Sequence, residues 1–230
     1  MNTVLKRAAV SAAIIGLLGT ASVALAAANT LTCFSGTTDG STYGGTCTIN
    51  SNGTVTLANN SSNPNGDYAG VYYSQSTLVG KTLGSVQQLG YTYSGTTSPT
   101  PGDLSLNFLM STGGYAYIDA FYCPGTGGVV DVIHNSNCGI WYNGTEYANW
   151  SALVAAFPGA TIADTPFVVA ERTPAEGPAV WTLSNLQLGG PAVVANKDQC
   201  KNNGWQNLVR ADGSSFKNQG DCIQYVNTGK

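Results

Sequence analysis

The chain has 230 residues, only 9% of them charged, with a formal net charge of −3 at pH 7. Gly is abundant at 29 residues and Tyr, at 12, is the commonest aromatic, which is the composition of a turn-rich β protein and argues against a helical one. Lys and Arg number 9 against 12 acids, so a phosphate backbone is repelled and nucleic acid is excluded as a partner.

Residues 1–26 read as a signal peptide. Lys6 and Arg7 form a positive start, an apolar and small-residue run follows, and Ala24-Leu25-Ala26 is an A-x-A cleavage triplet. No later stretch is apolar enough to span a bilayer, so a secreted, extracellular or cell-surface protein is expected. Behind such a leader, six cysteines read as three disulfides. Nearest neighbours are expected to pair, Cys33 with Cys47, Cys123 with Cys138 and Cys200 with Cys222, because each couple brackets a predicted hairpin. None has the CxxC spacing of zinc or thioredoxin chemistry.

Residues 27–190 form the body. Residues 30–35 and 45–50 suggest a first hairpin across a Gly- and Ser-rich loop, and residues 54–58 a short strand. The run NNSSNPNGD at 59–67 is a loop, and AGVYYS at 69–74 the next strand. SVQQLGYTYS at 85–94 is expected as a strand with Leu89, Tyr91 and Tyr93 on one face. Residues 103–123 carry the strongest signal: Leu104, Leu106, Phe108 and Met110 alternate with polar or outward residues, Gly113-Gly114 turns the chain, and Tyr115, Tyr117, Asp119 and Phe121 alternate with Ala116, Ile118 and Ala120. Further strands are expected at 128–134, 165–172 and 179–188, the last with a slip in its alternation near the end. Residues 139–147 make a short hairpin around Asn143-Gly144. One helix is predicted, capped by Asn149 or Ser151, striped with Trp150, Leu153, Val154 and Phe157, and stopped by Pro158-Gly159.

Nine to eleven short strands with frequent turns predict an all-β, antiparallel two-sheet sandwich with one rim helix. Residues 191–196 read as a linker. Residues 197–230 form a small tail with helices at 197–205 and 218–227, stapled by Cys200 and Cys222 because so short a segment cannot bury enough core. The body carries nine acids against Lys81 and Arg172, while the tail has a basic excess.

The tail KDQCKNNGWQNL…FKNQGDCIQYVNTGK resembles a two-cysteine C-terminal segment found on many secreted bacterial proteins. DYAGVYYS, LSLNF…YAYIDAFYC, YANWSALVAAFPGATI and WTLSNLQLGG are similar to exported β-sandwich domains of concanavalin A-like, jelly-roll type. The resemblance implies that fold and an exported setting, and no catalytic residues.

For chemistry, Asp119 and Asp131 are the only acids inside clear body strands and the candidate pair for sugar hydrolysis, though the chain lacks an E-x-D-x-E run. His134, the single histidine, would have to serve any Ser-His-Asp site, and no G-x-S-x-G elbow accompanies it. Asn65 and Asp67 offer oxygen ligands for calcium without EF-hand spacing. Sugar rings stack on aromatic faces with an adjacent acid or amide to fix hydroxyls. Tyr115, Tyr117, Asp119, Trp141 and Tyr142 are therefore the candidate ligand-binding set. Three functions stay open: a non-catalytic module recognising a carbohydrate or cell-envelope polymer, a polysaccharide hydrolase or lyase, and a structural envelope protein. The basic tail offers a second route to an acidic cell-wall polymer.

Overall fold

The computed structural model describes residues 30–37, 44–50, 53–60, 66–123, 125–190, 192–193, 196–201, 204–210 and 216–229. The expected leader and Asn65 lie outside the described residues. In chain order the body has β1 (Leu31–Thr37), β2 (Thr46–Ile49), β3 (Val55–Asn59), β4 (Asp67–Tyr73), β5 (Gly90–Gly95), β6 (Leu104–Leu109), β7 (Tyr115–Asp119), β8 (Val129–Asp131), β9 (Ile140–Tyr142), β10 (Thr145–Tyr147), helix α1 (Trp150–Ala156), β11 (Phe167–Arg172) and β12 (Ala179–Gln187). They form two antiparallel sheets. The larger has the order β1-β4-β11-β6-β7-β9-β10, the smaller β2-β3-β12-β5-β8. This is the predicted two-sheet sandwich.

Alternation decides what each sheet buries. Ala69 and Val71 of β4, Leu104, Leu106 and Phe108 of β6, Ala116 and Ile118 of β7, and Val168 and Ala170 of β11 point inward from the larger sheet. They meet Val55 and Leu57 of β3, Tyr91 of β5, and Trp181 and Leu183 of β12. Each large apolar side chain so buried contributes roughly 1.5–3 kcal/mol relative to exposure. The helix α1 is capped by Asn149 Oδ1, which accepts from Ala152 N at 3.0 Å. Its Trp150 packs on Phe108 with ring centroids 5.8 Å apart, closing the core beside β9 and β10.

The disulfides follow the nearest-neighbour expectation. Cys33–Cys47 clips β1 to β2, the edge strands of the two sheets. Between Cys123 and Cys138 the chain leaves the larger sheet, lends β8 to the smaller one and returns to β9, so that bridge staples the exit to the re-entry.

Three local expectations change. The first hairpin does not form, because β1 pairs with β4 in the larger sheet and β2 with β3 in the smaller, and the Cys33–Cys47 bridge joins the two. The strand predicted from residue 85 begins only at Gly90, because Leu83, Val86 and Leu89 bury at a spacing of three around a 3-10 turn, which is not a pleat. The strand predicted over 128–134 shortens to Val129–Asp131, since Asp131 Oδ1 accepts from Ile133 N and His134 N and turns the chain out of the ladder. The slip expected near the end of β12 is present, as a register shift between Ser184 and Gln187 with Asn185 at φ 48°.

In the tail, α2 (Gln219–Thr228, numbered after α1) is capped by Asn218 and ended by Gly229 in the left-handed region. Where a helix was expected over 197–205, the described residues 197–201 form turns and Gly204–Asn207 a 3-10 helix. The expected linker contributes a strand of its own: β13 (Ala192–Val193) pairs in parallel with β14 (Leu208–Val209). Cys200, Leu208, Phe216 and Cys222 form a second, smaller core.

Candidate functional site

One cross-strand row organises the outer face of the larger sheet. Reading the registers from edge to edge, Thr32 of β1 faces Tyr72 of β4, which faces Phe167 of β11. Phe167 faces Asn107 of β6, Asn107 faces Tyr117 of β7, Tyr117 faces Trp141 of β9, and Trp141 faces Glu146 of β10. Because side chains alternate at each strand, all seven point away from the core. Rings on the neighbouring outward positions join them. Phe34 packs on Tyr72 at 6.1 Å and edge-on to Phe167 at 5.7 Å, and Tyr115 meets Phe167 edge-on at 6.0 Å. The Tyr117 and Trp141 rings lie within 15° of parallel, their centroids 6.3 Å apart.

The two ring groups are separated by a polar floor. Asn107 sits between Phe167 and Tyr117 and is buried, as is Ser105 beside it, whose Oγ accepts from Asn107 Nδ2 at 2.9 Å. Aromatic walls around an amide and a hydroxyl can take a flat apolar ring face while meeting polar groups at its edge. Trp141 Nε1 is buried without a hydrogen-bond partner, a donor left unused on this face. Tyr117 is half-buried, and its phenol is pushed up to about 12, first by desolvation and then by the negative charge of Asp119, Tyr122 and Glu146. Tyr115 is raised too, by burial and then by Asp164.

Of the predicted binding set, Tyr115, Tyr117 and Trp141 stand on this platform. Tyr142 does not: it is the inward residue of β9, packs edge-on to Phe157 at 5.0 Å, and its hydroxyl donates to the Gly113 carbonyl. Its neighbour Trp141 faces outward, so adjacency in sequence put two opposite faces together. Asp119 is on the outward side of β7 yet fully buried, accepting from the backbone N–H of Phe121 at 2.9 Å and from that of Gly102. It ties the 95–102 loop to the end of β7. Tyr72, Phe167, Phe34 and Asn107 were missed. Their signal is the outward phase of LTCFSG, AGVYYS, TPFVVAER and LSLNF, legible once each strand's inward residues are fixed.

Asp119 and Asp131 are not neighbours. One ends β7 in the larger sheet and the other ends β8 in the smaller, so the strand-to-strand pairing expected of a hydrolytic pair is absent. Asp131 instead holds His134 Nδ1 at 3.0 Å across an exposed turn, and no serine hydroxyl hydrogen-bonds that imidazole among the described residues. Asp67, the described half of the calcium candidate, is buried, accepting from Asn59 Nδ2 at 3.0 Å and Asn60 N at 2.7 Å. Among the described residues no group of three or more His, Cys, Asp or Glu could hold a metal ion, and no helix is long and apolar enough to cross a membrane. In the tail, Lys201 pairs with Asp198 and Arg210 with Asp221, each at 2.6 Å, and Arg210 also lies over Phe216. Part of its basic excess is thus neutralised internally.

No protein family, curated protein or solved structure matches the chain.

Proposed function

We propose that this protein is a secreted, non-catalytic module that binds a carbohydrate or carbohydrate-containing envelope polymer on the outer face of its larger sheet. The observation that carries the reading is the single row Tyr72–Phe167–Asn107–Tyr117–Trp141–Glu146, which lines up aromatic and polar side chains across six strands. An extended row of rings with amide and carboxylate groups among them suits a chain of sugars, each ring stacking while its hydroxyls find polar partners. The signal-peptide pattern expected of residues 1–26 and the three disulfides support the extracellular setting.

A glycan array with the purified protein tests it, beside the variants Tyr117→Ala and Trp141→Ala. Binding that falls by more than about tenfold in either variant is expected of a central anchor. Undiminished binding in both variants moves the site elsewhere, and silence on every glycan removes the function.

A further inference from the structure

We propose that the saccharide taken by this face is cationic, a polymer of amino sugars bearing free ammonium groups. The inference rests on the glycan-binding reading and names its substrate class. It begins with Glu146, which closes the aromatic row directly opposite Trp141. This carboxylate is exposed and makes no hydrogen bond or ion pair among the described residues. Its Oε1 stands over Gly139, where an added Cβ would come within 3.1 Å, so glycine there leaves the carboxylate unobstructed from that side.

The rest of the face has the same sign. Asp164 lies close enough to Tyr115 to raise its phenol, and Glu171 faces Tyr68 on the next outward row but one. Neither basic residue of the body pairs with Glu146. Arg172 is turned into the interior, 3.7 Å from Asp103, and Lys81 lies on the segment that pairs with residues 161–162, past the end of β6. The wider field adds to this, with nine acids in the body against those two cations.

An ammonium group is drawn to such a place twice over. The negative faces of Trp141 and Tyr117 attract a cation, and Glu146 supplies an opposite charge at the end of the row. A neutral or N-acetylated sugar keeps the stacking and the hydrogen bonds to its hydroxyls but gains no charge attraction. A cationic sugar gains stacking and charge together, whereas an anionic polymer would be repelled.

The test is titration calorimetry of the whole protein with three soluble oligomers: glucosamine, N-acetylglucosamine and cellulose-derived glucose. The glucosamine oligomer is expected to bind roughly three- to tenfold tighter than its N-acetylated counterpart. That advantage should shrink with added salt and disappear in Glu146→Gln, where the affinities for the glucosamine and N-acetylglucosamine oligomers converge. Equal affinity for the two, with both lost in Tyr117→Ala, overturns the cationic preference and leaves the glycan site standing. A preference undiminished in Glu146→Gln overturns the role of that carboxylate. Silence of all three oligomers overturns this inference and the reading beneath it.

Discussion

Substituting Arg172 by Met should cost the fold about 3–5 kcal/mol. The Arg172 side chain is 4% exposed and sits 3.7 Å from Asp103, whose side chain is fully buried. At that distance the attraction is on the order of 4 kcal/mol at an effective dielectric constant of about 20. The guanidinium has other work: Nη1 donates to Thr97 Oγ1 at 3.1 Å, Nη2 to the Glu176 carbonyl at 2.7 Å, and its carbon lies 5.6 Å from the Trp181 ring centre. Asp67 faces Arg172 across β4 and β11. Methionine fills a comparable volume but leaves Asp103 and Asp67 as buried carboxylates with no cation at that pole. Asp103→Asn should cost less. The amide oxygen can still accept from Thr100 N and Oγ1, each now 2.8 Å from the carboxylate, and Arg172 keeps its other partners. Urea unfolding of both variants checks the order, with the slope of the transition confirming that the same surface is exposed. The aromatic row lies at the other end of β11, so oligosaccharide binding by the folded variants should match the wild type. A loss below about 1 kcal/mol for Arg172→Met, or a larger loss for Asp103→Asn, would refute this account of the pole.

Two further outcomes are expected. Asp119→Asn should lower stability by about 1–3 kcal/mol, because the buried carboxylate accepts from two backbone N–H groups and an amide would turn its own donors toward one of them; urea unfolding measures it. Alkaline titration should show Tyr117 ionising near 12 instead of 10.0, with Tyr73, Tyr91, Tyr93 and Tyr115 also raised. The unfolded chain then releases these protons first. Stability should therefore hold up to about pH 10 and fall as the pH climbs from there toward 12, and melting temperatures that stay flat across that window would contradict it.

Much was legible without coordinates. Alternation of Leu104, Leu106 and Phe108 with Ser105 and Asn107 specified a strand, because a pleat sends successive side chains to opposite faces; that its polar face is buried as well was not legible. Asn143-Gly144 specified its turn, since both residues adopt positive φ, 48° and 79°. Asn149 and Asn218 marked two helix starts through the backbone N–H groups they accept from. The cysteine couples came out as nearest neighbours, although neither body couple brackets a hairpin: β1 and β2 lie in different sheets, and β8 between Cys123 and Cys138 pairs in the smaller one. Local rules fell short where two local preferences competed: Leu83, Val86 and Leu89 suit a tight turn as well as a strand, and only packing chose.

The candidate site lay further from reach. Local sequence placed Trp141 beside Tyr142, and the sheet separated them, one outward and one into the core. Asp119 and Asp131 looked like neighbours along the chain, yet the excursion between Cys123 and Cys138 carries β8 to the opposite sheet. Tyr72, Phe167 and Tyr117 come from strands distant in sequence, and what sets them on one row is the pairing order β4-β11-β6-β7. The sequence alone determined which residues could face outward, because that depends on each strand's own period. Only the tertiary structure decided which of them stand side by side, because strand order and register are set by how the whole core packs.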